Sequence, residues 1–134
     1  MATVLVDSNV LLDVLTEDPS WYHRSASALS RVAERADLAL NPIIYAEISV
    51  GFESLDELDE AVPPTYFKRL ALPWEAAFLA GKCFLQYRRL SGAKRAPLPD
   101  FYIGAHAMVM GYELLTRDQS RYQTYFPDLP VIEP

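Results

Sequence analysis

A lone cysteine, Cys83, leaves this chain of 134 residues without an internal disulfide, so its own core must hold the fold, as expected in a reducing compartment. Cys83 itself reads as a small apolar residue on a helix. No apolar run approaches the roughly 18 residues of a membrane span, because Glu47, Lys82 and His106 interrupt the longest candidates. The apolar start is cut short by Asp7 and lacks the basic flank of a secretory signal, which gives an expectation of a soluble, cytoplasmic protein. Positive charge is also scarce: 12 Lys and Arg against 18 Asp and Glu leave a net charge of −6, which excludes binding nucleic acid through a uniformly basic surface. Any polyanion must be received locally. A P-loop, a dinucleotide glycine pattern and a nucleophile elbow are all missing.

What is present is the patterning of one globular domain spanning 1–134, with 51% hydrophobic and 22% charged residues and no repeat or low-complexity segment. Short apolar stretches near 3–6, 37–40, 69–72, 113–116 and 130–132 read as strands, and the intervals between them read as helices. This alternation predicts a parallel sheet with helices on both faces. Ser8 can cap a first helix, Asn41-Pro42 supplies a cap and a first-turn proline, Leu98-Pro99 opens another helix, and Ser91-Gly92 stops the helical stretch 75–90. The acidic run "ESLDELDEA" at 53–61 reads as a solvated helix face.

The acids at element boundaries carry the chemistry. In an open parallel sheet, ligands bind beyond the carboxyl ends of the strands. Asp7 directly follows its strand in "TVLVDSNVLLDVL", where it either starts a helix or enters that crevice. Glu47, in "NPIIYAEISVGF", stands three or four residues from Ile43, Ile44, Val50 and Gly51, which places a carboxylate on an apolar face, where it either pairs with a cation or metal or sits at the rim of the stripe. Asp100 opens "PDFYIGAHAMVMGY", whose face at 100, 103, 104, 107, 108 and 111 is rich in small residues and predicts close packing on the sheet. Asp in a first turn is also favoured by the helix dipole. Asp118 follows "ELLT" by two residues, either as a turn residue or as a fourth acid beyond a strand end. If these elements are neighbours, four carboxylates meet in one crevice, where without a cation some would take up protons, so the cluster makes sense as a divalent-metal site. Hard oxygen donors favour Mg²⁺ or Mn²⁺.

These segments, with "YRRLSGAKRAPLPDFYIGAHAMVMGYELLTRD" and the closing "FPDLPVIEP", resemble the PIN-domain ribonucleases, and among them the VapC-type toxins of toxin–antitoxin pairs, over nearly the whole chain. The resemblance implies a three-layer α/β/α sandwich whose five parallel strands lie in the order 3-2-1-4-5. It makes Asp7, Glu47, Asp100 and Asp118 the catalytic, metal-binding set, with Ser8, Asn9 and Thr116 as polar support. It further implies cleavage of RNA phosphodiesters by metal-activated water, a cognate antitoxin and a homodimer.

Four of the basic residues, Arg88, Arg89, Lys94 and Arg95, cluster just before Asp100 and form a candidate grip on the RNA backbone. Arg117 is a candidate counter-charge for the acids. His106, six residues beyond Asp100, is turned about 120° away from the acid's face and reads as packing, as does His23. The aromatics at 66–67, 101–102 and 122–126 read as core or dimer contacts rather than base-stacking platforms. A haloacid-dehalogenase-type phosphotransferase also begins with strand-Asp, but Asn9 replaces its second aspartate and only 18 residues follow Thr116. The remaining alternative is a PIN-like scaffold that binds RNA or protein without cutting.

Overall fold

The computed structural model describes residues 2–91 and 98–134. Strand β1 (Ala2–Val6) leads into α1 (Ser8–Leu15) and α2 (Tyr22–Ala33), then β2 (Ala36–Leu40), α3 (Pro42–Ser49), α4 (Leu55–Ala61) and β3 (Phe67–Arg69). The second half runs through α5 (Trp74–Ser91), α6 (Leu98–Met110), β4 (Glu113–Leu115), α7 (Gln119–Tyr125) and β5 (Val131–Ile132). The five strands form one parallel sheet in the order β3-β2-β1-β4-β5.

Successive strand residues point to opposite faces, yet Val4, Leu5 and Val6, and likewise Leu38, Ala39 and Leu40, are all buried. Both faces of the central strands are therefore covered, as the continuous apolar runs of a parallel sheet require. Leu5 pairs with Ala39 on one side and with Leu114 on the other. This register brings the carboxyl ends of β1 and β4 level.

The expected third strand at 69–72 lies two residues earlier. Phe67, buried at 6% exposure, pairs with Leu38, and Arg69 pairs with Leu40. The ladder ends with the Leu70 amide donating to the Leu40 carbonyl at 2.9 Å, because β2 stops there and Asn41 turns the chain into α3. The Asn41 side chain accepts from the Ile44 amide at 2.9 Å, with Pro42 in the first turn, as the sequence predicts. Helix α4 is capped by Ser54 and presents its acids to solvent around one buried residue, Leu58.

Helix α6 is buried on more than one side, with Phe101, Ile103, Gly104, Ala105, His106 and Ala107 all inaccessible. The small-residue expectation is met differently from its reading: a Cβ at Gly104 would run into the ring of Phe126, beyond α7. Gly104 thus admits an aromatic side chain. Gly111, at φ +72°, ends α6 in the left-handed conformation and turns the chain into β4. Among the described residues no helix is long and apolar enough to cross a membrane.

Candidate active site

Asp7 continues β1 by one hydrogen bond, its amide donating to the Leu115 carbonyl at 2.9 Å, before α1 begins at Ser8. Its Oδ1 accepts from the Ser8 amide at 2.8 Å, whereas an ordinary N-cap reaches the second or third amide of the helix. Here the amides of Val10 and Leu11 point to the Asp7 backbone carbonyl, at 3.2 and 3.4 Å. The side chain is therefore free of the usual capping task and enters the crevice. Its Oδ2 accepts from Thr116 Oγ1 at 2.7 Å and from Asn9 Nδ2 at 3.3 Å.

Only 4% exposed, the Asp7 carboxyl is pushed up to about 6. Burial is the main cause. The hydrogen bonds from Thr116 and Ser8 oppose it, and the charges of Asp100 and Glu47 add to it.

Asn9 ties the two central strand ends together. Its Nδ2 lies 3.2 Å from Thr116 Oγ1 and 3.2 Å from Asp118 Oδ2, and its Oδ1 accepts the Arg117 amide at 3.2 Å. Thr116 Oγ1 in turn accepts the Asp118 amide at 3.0 Å. Ser8, Asn9 and Thr116 thus shape the Asp7 environment and the turn after β4.

Glu47 corrects one detail of the sequence reading. Val50 is 85% exposed and Gly51 is also exposed, so the buried stripe of α3 runs through Ile44 and Ile48, and Glu47 sits at its rim. Its Oε1 is nevertheless buried with no hydrogen-bond partner. Desolvation raises the carboxyl above its ordinary value, the Ser8 hydroxyl partly offsets this, and Asp100 raises it further.

Asp100, in the first turn of α6, is 9% exposed, and burial raises its carboxyl as well. Arg121 opposes that rise, donating from Nη1 to Asp100 Oδ2 at 2.9 Å, while Asp118 reinforces it. Asp118, at the start of α7, keeps its side chain 44% exposed, and its Oδ2 lies 3.8 Å from the same Arg121 nitrogen. Asp7, Glu47 and Asp100 thus lie within electrostatic reach of one another. Asp118 couples to the group through Asp100, Asn9 and Arg121.

Three residues contribute here without having been singled out for it. Arg121 is the counter-charge beside the acids, in place of Arg117, whose Nε instead pairs at 3.1 Å with the buried Asp13. Asp13 Oδ2 also accepts from Ser25 Oγ at 2.7 Å, and the Arg117 guanidinium lies over Trp21 at 4.9 Å. Tyr122, 1% exposed, carries a buried hydroxyl turned toward Asp7; burial, then the charges of Asp7, Asp100 and Glu47 and the interaction with the Asp7 carboxylate, hold the phenol far above its usual range. The available signal was spacing: Arg121 and Tyr122 fall three and four residues after Asp118, on one face of a helix.

Arg88 and Arg89 occupy the exposed last turn of α5, with Arg88 over the Phe84 ring at 5.7 Å. Lys94 and Arg95 lie outside the described residues. His106 is buried 3.1 Å from Asn41 Nδ2 and against Tyr112, away from the acids. Phe101 and Phe126 are core rings, Phe101 stacking on Tyr125 at 4.2 Å; Tyr66 is 48% exposed.

Three mutually coupled carboxylates, one with a buried and unpartnered oxygen, form a donor set of hard oxygens suited to Mg²⁺ or Mn²⁺. As the side chains stand, no three acids among the described residues already close around a single ion. One Asp100 oxygen is taken by Arg121.

A parallel sheet with acids beyond the carboxyl ends of its two central strands defines the class, and comparison with known proteins supplies the family. Residues 4–127 match the PIN domain model, and the chain belongs to the PIN-domain family. No curated protein matches it in sequence. Among solved structures it is similar to VapBC2 from Rickettsia felis bound to a DNA fragment from their promoter, with a TM-score of 0.72 at 15% identity over 98% of each chain. It is similar also to VapBC-1 from nontypeable Haemophilus influenzae, with a TM-score of 0.73 at 18% identity over 98% of this chain and 97% of that one. A toxin-antitoxin complex from Klebsiella pneumoniae gives 0.68 at 21% identity, over 96% and 95%.

Proposed function

We propose that the chain is a divalent-metal-dependent endoribonuclease, the toxin of a toxin–antitoxin pair. The observation that carries this reading is the buried, unpartnered Glu47 Oε1 beside Asp7 and Asp100, acids whose charges raise one another's proton affinity while neither Glu47 nor Asp7 pairs with a basic side chain among the described residues. Asp7, Glu47 and Asp100 would hold Mg²⁺ or Mn²⁺, with Asp118 at the edge of the set. When bound, the ion supplies an activated water and neutralises charge on the scissile phosphate.

The chain's own groups do the rest. Thr116 and Asn9 hold one Asp7 oxygen in place and the Ser8 amide holds the other, so the carboxylate is oriented before any ligand arrives. Tyr122, 1% exposed, is buried within electrostatic reach of Asp7, Asp100 and Glu47. Arg88 and Arg89, on an exposed turn of a chain that is otherwise net acidic, would receive the RNA backbone.

The toxin assignment, the antitoxin partner and RNA as substrate rest on membership of the PIN family together with the toxin–antitoxin assemblies it resembles in fold. A homodimer is proposed with them, supported by Trp74 and Phe78, one turn apart on α5 and 88% and 69% exposed. A cytoplasmic location is proposed with them.

The test is RNA cleavage with Mg²⁺ or Mn²⁺ by the full chain and by Asp7→Asn and Glu47→Gln, with folding followed by circular dichroism. Both variants should fold and lose at least about 100-fold in cleavage. RNA retained in a gel shift but never cut, by wild type with either ion, would establish the scaffold instead. Growth arrest on induction, relieved by a co-expressed upstream reading frame, tests the toxin assignment.

A further inference from the structure

Arg121 divides the acidic crevice into two unequal halves. At one end, its Nη1 bonds Asp100 Oδ2 at 2.9 Å and stands 3.8 Å from Asp118 Oδ2, so these two carboxylates already share a cation supplied by the chain itself. At the other end, Asp7 Oδ2 is held by neutral donors, Thr116 and Asn9, and Glu47 Oε1 is buried without a partner. No basic side chain pairs with either acid among the described residues.

We propose that the Arg121 guanidinium takes the place of a second divalent ion, so that the site accepts one ion, at the Asp7–Glu47 end, with Asp100 shared between that ion and the arginine. The inference rests on the metal-dependent reading above. Its physical basis is exclusion: a divalent ion between Asp100 and Asp118 would have to displace a fixed positive charge that occupies one Asp100 oxygen, whereas the opposite end offers two carboxylates and no competing cation. The arginine can hold this place at little conformational cost, because α7 sets Asp118 and Arg121 three residues apart on one helical face. Its side chain is 47% exposed, so donors beyond the one given to Asp100 remain open to a phosphate at the crevice mouth.

The experiment is Mn²⁺ binding to the full chain by titration calorimetry, with the dipolar broadening of the Mn²⁺ resonance as a second readout that needs no substrate. Wild type should bind one ion per chain with no broadening. Arg121→Gln, a change at a half-exposed side chain that leaves the core untouched, should bind two and show the broadened signal of neighbouring ions. Arg121→Lys, which keeps the charge, should bind one. Two ions on wild type or on the lysine variant, or a single ion on the glutamine variant, would overturn the assignment of Arg121 while leaving the metal site standing. Absence of Mn²⁺ binding by wild type would overturn both the assignment and the reading on which it rests.

Discussion

Thr116 donates its hydroxyl to Asp7 Oδ2 at 2.7 Å, joining two residues 109 positions apart in the chain. The bond exists because β1 and β4 are adjacent and in step, so that each residue directly follows its strand at the same edge. Thr116→Val keeps the shape and removes the donor, leaving Asp7 Oδ2 with the longer Asn9 interaction. The folded protein should lose about 1–3 kcal/mol at pH 8, read by urea unfolding, and Thr116→Ser should recover most of it.

Stability without metal should depend on pH in an unusual direction. Asp7 in the fold binds its proton up to about pH 6, against 3.8 for the ordinary group, so between those values the folded state holds a proton that the unfolded state has released. The contribution of Asp7 to stability therefore falls as pH rises from about 4 to 6, by about 3 kcal/mol in all. The upward shifts of Glu47 and Asp100 act in the same sense. Unfolding in EDTA across this range should show the fall, and Asp7→Asn should flatten it.

The Asp13–Arg117 pair anchors the loop that carries Thr116 and Asp118 to α1. Asp13→Ala leaves Arg117 without its partner and Ser25 without its acceptor. A loss of about 2–4 kcal/mol in urea unfolding is expected, moderated by the partial exposure of Arg117.

Gly104→Ala forces the Phe126 ring to move and should cost about 1–3 kcal/mol. Adding Phe126→Leu to this variant should cost less than Phe126→Leu costs in wild type, and a double-mutant cycle of melting free energies measures the difference.

If Arg88 and Arg89 grip the backbone, reversing both charges should weaken RNA binding and reduce the salt slope by about 0.7 for each single-strand phosphate that is no longer neutralised. Binding titrations at several salt concentrations measure the slope directly. An unchanged slope would assign the two arginines to the surface alone.

Much of this molecule was legible from the residues in order. Continuous apolar runs in β1 and β2 announced strands buried on both faces, and Asn41-Pro42 announced α3, because these signals are local. The placement of β3 was not local: its extent depends on where β2 stops, and Phe67 rather than Leu72 meets it. Glu47 was read on an apolar face shared with Val50 and Gly51, whereas its helix buries Ile44 and Ile48 while Val50 faces out, because the packing of α3 on its neighbours sets which face is covered. Arg117 and Arg121 lie four residues apart, and although spacing put Arg121 on the same helical face as Asp118, it did not say which arginine would meet the acids. Asp13, buried across from Arg117, made that choice.

The sequence by itself determined most of the secondary elements, the parallel class of the sheet and the positions of Asp7, Asp100 and Asp118 at element ends, because periodicity, caps and strand termini are properties of neighbouring residues. Tertiary structure alone decided which cation each acid received, which carboxylate oxygen was left buried without a partner, and which glycine an aromatic ring requires. Those outcomes depend on distances between elements far apart in the chain, and electrostatic and packing energies are functions of those distances rather than of sequence separation.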